Sequence, residues 1–211
     1  MSKVILGIDL SKTSTGWAAV RAEGKDMTIL GMGQLKNDKP TISYGRYPEC
    51  YLDMAKDVID SVLTLVMNFQ PDVIVIEETN SGAKAHSRYS QKTLEFLHKE
   101  LLTRLRATRA DGLANVFYLS SVTWRAACGM YMSKEDKKAN AKLSKAKKAS
   151  LDGKVDYKAL GVRGKKTKKH VSLSYINAKF GLKLKMVQND QAEALGLCWA
   201  WVEGAEHCDG I

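Results

Sequence analysis

Two short apolar runs that each end on an acid constrain this chain more than any other feature. They are Val4-Ile5-Leu6-Gly7-Ile8-Asp9 and Val73-Ile74-Val75-Ile76-Glu77. Brief, continuously apolar and partly β-branched, they read as strands covered on both faces, the kind found at the centre of a sheet with a parallel portion. A carboxylate inside such a strand is costly unless a counter-charge or a metal ion meets it. Both acids fall at C-terminal strand ends, the edge where open α/β sheets collect ligands. Either acid taken singly is as well explained by a capping or salt-bridging role.

The surrounding pattern fills in the rest of the fold. Strands are predicted over 3–10, 15–21 and 27–35, with Ser11 to Ser14 and Gly24-Lys25 as turns. Tyr51, Met54, Ala55, Val58, Ile59, Val62 and Val66 recur at helical spacing, giving a helix over 47–69 that Pro71-Asp72 ends. After the 73–77 strand come a basic amphipathic helix over 90–108, a fifth strand at 116–119 and a short helix near 123–130. Two further helices are predicted at about 169–180 and 190–203. The order points to an α/β fold, a mixed five-stranded sheet flanked by helices. The expected organisation is a single domain over 1–211, with a lysine-rich insertion at about 133–169 that is a poor candidate for core.

The last helix adds two acids. Asn189-Asp190-Gln191-Ala192-Glu193 puts Asp190 and Glu193 three residues apart on one face, where like charges repel unless a cation intervenes. Alternatively, Asp190 is a first-turn acid favoured by the helix dipole and Glu193 its solvated neighbour. Leu195, Cys198, Trp199 and Val202 mark the remainder of this helix as core-packed, so its acidic start faces an interior rim. Asp9, Glu77, Asp190 and Glu193 could together hold two divalent ions about 4 Å apart, an arrangement suited to in-line phosphodiester hydrolysis. Hard oxygen ligands favour Mg²⁺, with Mn²⁺ able to substitute.

Three segments carry a family resemblance. Gly7-Ile8-Asp9-Leu10-Ser11-Lys12-Thr13-Ser14-Thr15-Gly16-Trp17-Ala18 resembles the opening hairpin of the RuvC-type Holliday junction resolvases, especially the short phage-type members. Pro71 to Glu77 is similar to their second acidic strand, and Asp190 to Leu195 to their final acidic helix. The resemblance implies an RNase H-like fold, a homodimer, and a crossover junction endodeoxyribonuclease that nicks four-way junctions symmetrically. It assigns Asp9, Glu77, Asp190 and Glu193 as metal ligands and catalytic residues. Ser120 to Arg125 and Lys168-Lys169-His170-Val171 resemble the region between the family's second and third acidic motifs, where a lysine assists catalysis or binds phosphate. That role is carried to Lys168 or Lys169. The chain departs from the bacterial pattern in having Glu193 where aspartate is usual. It also has Glu78-Thr79-Asn80-Ser81 where an aromatic wedge is usual, and a larger lysine-rich segment.

Charge supports a polyanionic partner. Lysine and arginine number 33 against 23 acids, a formal +10. Expected DNA contacts are Ser11 and Lys12 after the first acid, Asn80, Ser81, Lys84, Arg88 and Tyr89 after the second, and Arg125, Lys165 and Lys166. Tyr89 either stacks on an unpaired base or caps the following helix against the core. The segment from Lys134 to Lys169 is read as a DNA-tracking arm, or else as a solvated loop. His170 is read as a surface group or weak phosphate contact, and His86, His98 and His207 receive no role. Trp199 and Trp201 are read as helix packing, and the 90–108 face as a candidate dimer interface.

Cys50, Cys128, Cys198 and Cys208 are scattered, as expected of reduced thiols rather than a zinc site. No apolar run approaches the roughly 20 residues of a spanning helix, and an acid at position 9 falls too early for a secretory signal. A cytoplasmic protein of a bacterium or phage-infected host is expected. Two rival functions remain. The first acidic motif also resembles the first phosphate loop of actin and Hsp70-like ATPases, although the later glycine-rich loop is missing. A non-catalytic nucleic-acid binder would account for the charge but not for the acids. Among nucleases, action on flaps or RNA–DNA hybrids is the alternative to junctions.

Overall fold

A computed structural model describes residues 1–37, 41–78, 88–150, 154–162 and 164–205, with the side chains at 41, 42, 88 and 89 left aside. Five strands form one sheet: β1 (Lys3–Asp9), β2 (Ser14–Glu23), β3 (Asp26–Lys36), β4 (Val73–Glu77) and β5 (Val116–Leu119). Their order is β3-β2-β1-β4-β5, with β1–β3 an antiparallel meander and β4 and β5 added parallel to β1. The mixed five-stranded sheet expected from the sequence is therefore present.

The central strands are apolar on both faces because helices cover both. Leu6, Ile8, Ile74 and Ile76 point towards α1 (Glu49–Phe69) and α2 (Arg88–Thr108), in a core completed by Val58, Ile59, Val62, Leu97, Leu101 and Leu105. Ile5, Val73 and Val75 point the other way, into a core with α3 (Ser121–Ala127), α5 (Lys168–Phe180) and α6 (Asn189–Val202). Side chains alternate along a strand with period two, so Asp9 and Glu77 share the α6 face with Ile5, Val73 and Val75. Since β1 and β4 are parallel with Ile8 opposite Ile76, the same register carried one residue further sets Asp9 beside Glu77.

Helix α6 crosses the sheet at backbone contact, and two glycines permit it. A Cβ at Gly7 would lie 2.2 Å from the Ala194 carbonyl oxygen, and one at Gly16 would lie 2.1 Å from that of Asp190. No side chain fits at those separations without displacing the helix that carries Asp190 and Glu193.

The lysine-rich segment holds more regular structure than its composition suggests. Helix α4 spans Lys134–Ala149. Alanine and lysine are strong helix formers, and Ser133 caps the start by accepting from the Asp136 N–H at 3.0 Å. Glu135 and Asp136 in the first turn and Lys147 and Lys148 in the last complement the helix dipole. Only Leu143 of this helix is buried, so the helix adds little core. Asn140 fastens it to the chain leading into α5, donating to the Lys166 carbonyl at 2.7 Å and accepting from the Lys166 N–H at 3.0 Å. Among the described residues, no helix is long and apolar enough to cross a membrane.

Candidate metal centre

Three of the four acids converge. Asp9 from the end of β1, Glu77 from the end of β4 and Glu193 from the first turns of α6 each offer a carboxylate oxygen, all within 4.8 Å of one another. Three hard oxygens from three separate segments form a donor set that fits a divalent cation of the Mg²⁺ or Mn²⁺ kind. The electrostatics agree. Burial pushes the Asp9 carboxyl well above the usual carboxylate range, and Glu77, Glu193 and Asp190 push it further against the opposing pull of Lys169. Glu77 is pushed up to about 7 by burial and by Glu193, with Arg125, the Trp124 N–H and Lys169 holding it back. Acids held this far from their preferred ionisation lack positive charge.

Asp190 stands beside this group rather than within it. Its Oδ2 accepts from the Ser14 hydroxyl at 2.9 Å and from Gln34 Nε2 at 3.2 Å. Its Oδ1 accepts from Asn189 Nδ2 at 2.6 Å and from Lys169 Nζ at 3.1 Å. Lys169 Nζ also lies 3.6 Å from Glu193 Oε2. Burial alone would lower the Lys169 ammonium, but Glu193, Asp190 and Asp9 raise it overall. Of the two lysines that the sequence leaves open, Lys169 reaches the acids. Lys168 instead lines a 330 Å³ cavity with Lys137, Tyr131 and Val171.

Helix α3 braces the site from behind. Ser120 caps it by accepting from the Thr123 N–H at 3.1 Å. Trp124, wholly buried, donates from Nε1 to Glu77 Oε2 at 3.3 Å. The next residue, Arg125, is buried and pairs with Glu193, while its Nε donates to Ser172 Oγ at 3.0 Å and its Nη1 to the Ser121 carbonyl at 2.8 Å. The expectation that Arg125 contacts DNA is thus corrected: its guanidinium is used inside the protein as the counter-charge of an acid. Ser14, Gln34 and Trp124 join the site, although no local pattern in the sequence gives any of them a carboxylate partner. The tryptophan sits in a short apolar helix and Gln34 near the end of a strand, and neither position signals a carboxylate partner.

The other expected contacts fall unevenly. Ser11 and Lys12 occupy the turn that follows Asp9, where Ser11 Oγ accepts from the Thr13 and Ser14 N–H groups at 3.4 Å. Lys165 and Lys166 are exposed just before α5, with Lys166 Nζ paired to Asp136 at 3.0 Å. Asn80, Ser81 and Lys84 lie outside the described residues, as do the side chains of Arg88 and Tyr89. His170 has a structural duty the sequence does not suggest. Its Nδ1 accepts from the Thr167 N–H at 3.2 Å, closing a capping box at the start of α5.

No family model matches the chain. In sequence it is similar to the crossover junction endodeoxyribonuclease RuvC of Photobacterium profundum, 31% identical over 84 residues, 40% of this chain and 43% of that protein. It is also 27% identical over 118 residues to RuvC of Christiangramia forsetii, covering 56% of this chain and 49% of the relative. The chain thus spans less than half the length of these curated relatives. In structure it is similar to Thermus thermophilus RuvC solved with a Holliday junction substrate, at TM-score 0.58 and 14% identity, over 95% of this chain and 93% of that one. The yeast mitochondrial Holliday junction resolvase Ydc2 matches at TM-score 0.50 and 15% identity, over 94% and 77%. These likenesses show the fold, which is RNase H-like.

Proposed function

We propose that this chain, RuvC-like in fold and in its matching sequence segment, is a divalent-metal-dependent endonuclease that cuts branched DNA, four-way junctions foremost. The single observation that carries the reading is the convergence of Asp9, Glu77 and Glu193, with Asp190 at their side. A protein that merely bound DNA would gain nothing from acids gathered where phosphate must approach. The same acids are what a phosphodiester hydrolase needs.

Asp9, Glu77, Asp190 and Glu193 are the residues that would hold Mg²⁺, with Mn²⁺ as a substitute. A bound pair of such ions would supply water activation and stabilisation of the leaving 3′-oxygen. The chain's own groups arrange the rest. Arg125 fixes Glu193 from the interior, Trp124 orients Glu77, and Ser14 and Gln34 orient Asp190. Lys169, half-exposed beside Asp190 and Glu193, would meet a phosphate oxygen and so assist catalysis or bind phosphate. Ser11 and Lys12 line the same edge of the sheet. Lys165 and Lys166 continue the positive surface towards α4, where Lys134, Lys137, Lys138, Lys142, Lys145, Lys147 and Lys148 are all exposed. Two copies joined through the α2 face would give paired, symmetric nicks. The whole chain acts as one nuclease domain, with the lysine-rich insertion as its DNA-tracking arm.

One preparation assayed with Mg²⁺ on four-way junctions, flaps, RNA–DNA hybrids and linear duplex tests this reading. Paired nicks in the junction, at rates well above those on the other three, are expected. Preferential cutting of the hybrid would replace the junction with an RNase H substrate. For the arm, neutralising the α4 lysines should reduce the slope of log affinity against log salt by about 0.9 for each duplex phosphate that the helix no longer touches. An unchanged slope would mean that α4 does not meet DNA.

A further inference from the structure

We propose that in the DNA-free protein the Lys169 ammonium occupies the position of a second cation, so that the free chain binds one divalent ion and admits another only when Lys169 withdraws. This rests on the metal-dependent reading above and concerns the order in which the site fills.

Counting the oxygens of each acid leads to it. Asp9, Glu77 and Glu193 can meet at one ion, since one oxygen of each lies within 4.8 Å of the others. A second ion would draw on Asp190, the remaining member of the acid set. Both of its oxygens are already engaged, Oδ2 by Ser14 and Gln34, and Oδ1 by Asn189 and Lys169. Of these four partners only Lys169 carries charge, and it also faces Glu193 Oε2 at 3.6 Å. It therefore bridges the two acids of α6, as an ion between them would. Arg125 supports the same conclusion from the other side. It is buried, paired with Glu193 and tied to Ser172 and Ser121, so it cannot leave. Lys169 can. Its side chain is 49% exposed, against 11% for Arg125, and it stands on the first turn of α5. A DNA phosphate at the rim would offer the ammonium another anion as the second ion takes its place. A lysine is suited to this exchange because its single rotatable charge lacks the fixed fork of an arginine.

The test counts Mn²⁺ bound to the full chain without DNA, by loss of the free-ion electron paramagnetic resonance signal on titration. Wild type is expected to bind one ion. Lys169→Met should bind two, its second site at least about tenfold tighter than any second site in wild type, because a full positive charge has left two carboxylates. Lys169→Arg, which keeps the charge, and Lys168→Met, which removes the same charge one residue away, should each bind one. Thermal unfolding of every variant verifies that it is folded. Two ions in wild type, or one in Lys169→Met, would overturn the proposal while leaving the metal site itself intact. No Mn²⁺ bound to wild type would overturn the metal-dependent reading, and this proposal with it.

Discussion

Asp9→Asn is expected to slow Mg²⁺-dependent junction cleavage by roughly a thousandfold or more, while raising the melting temperature of the metal-free protein near pH 8. The two effects share one cause. Asp9 lies where the acids converge, and removing its charge removes a ligand from the ion that must activate water, a contribution of several kcal/mol at about 1.4 kcal/mol per tenfold. Without metal the same charge is a burden. The carboxyls of Asp9 and Glu77 hold protons more tightly in the folded chain than in the unfolded one, because burial and neighbouring acids raise both. Stability from this source is therefore complete below the unfolded value near 4. It is lost as pH rises through the Glu77 value of about 7. Asparagine at position 9 relieves part of that repulsion, and a gain of roughly 5 °C is expected for a chain of this size. Differential scanning calorimetry in chelator from pH 5 to 8.5 should show wild type losing stability with pH and the variant losing less. Four-way junction binding should survive. A variant that still cuts at the wild-type rate would remove Asp9 from the site.

Arg125→Ala should be strongly destabilising, costing about 3–5 kcal/mol of stability. The arginine is buried on α3 and its partner Glu193 on α6 is only 4% exposed. Truncation would leave that carboxylate enclosed with Lys169 alone at 3.6 Å, together with an emptied space beside Ser172. A fall of the order of 10 °C in melting temperature follows. Mg²⁺ should restore more stability to this variant than it adds to wild type, because the ion would replace a counter-charge that wild type retains. Melting within a degree of wild type would show that Glu193 is satisfied by other means, and Arg125 could then be reconsidered as a DNA contact.

The strand-borne acids are legible in the sequence because their information is local. An apolar run fixes a strand, its end fixes the sheet edge, and alternation fixes the face. Asp9 and Glu77 follow from these rules once β1 and β4 are parallel neighbours. The helix acids are legible only in part. Three residues apart on one face, Asp190 and Glu193 look equivalent, yet Glu193 enters the three-acid group and Asp190 is drawn aside by Ser14, Gln34 and Lys169. That division depends on partners from β2, β3 and α5 that no local pattern announces. Arg125 misleads because an arginine is ordinarily exposed, and only the packing of α3 against α5 and α6 encloses it. Helix α4 is hidden because its lysines stand out as charge, although the same residues, with alanine between them and a serine cap before, also favour a helix.

The close passage of α6 over the hairpin has a consequence for how this sequence can drift. Gly7 and Gly16 perform no chemistry, yet every other residue at either position brings a Cβ within about 2 Å of the helix backbone that bears two of the acids. In a scan of all single substitutions scored for nuclease activity, both glycines should be as depleted as the carboxylates. The record of selection on this protein would then run along a line of backbone contact, and the two glycines would mark it as clearly as the acids do.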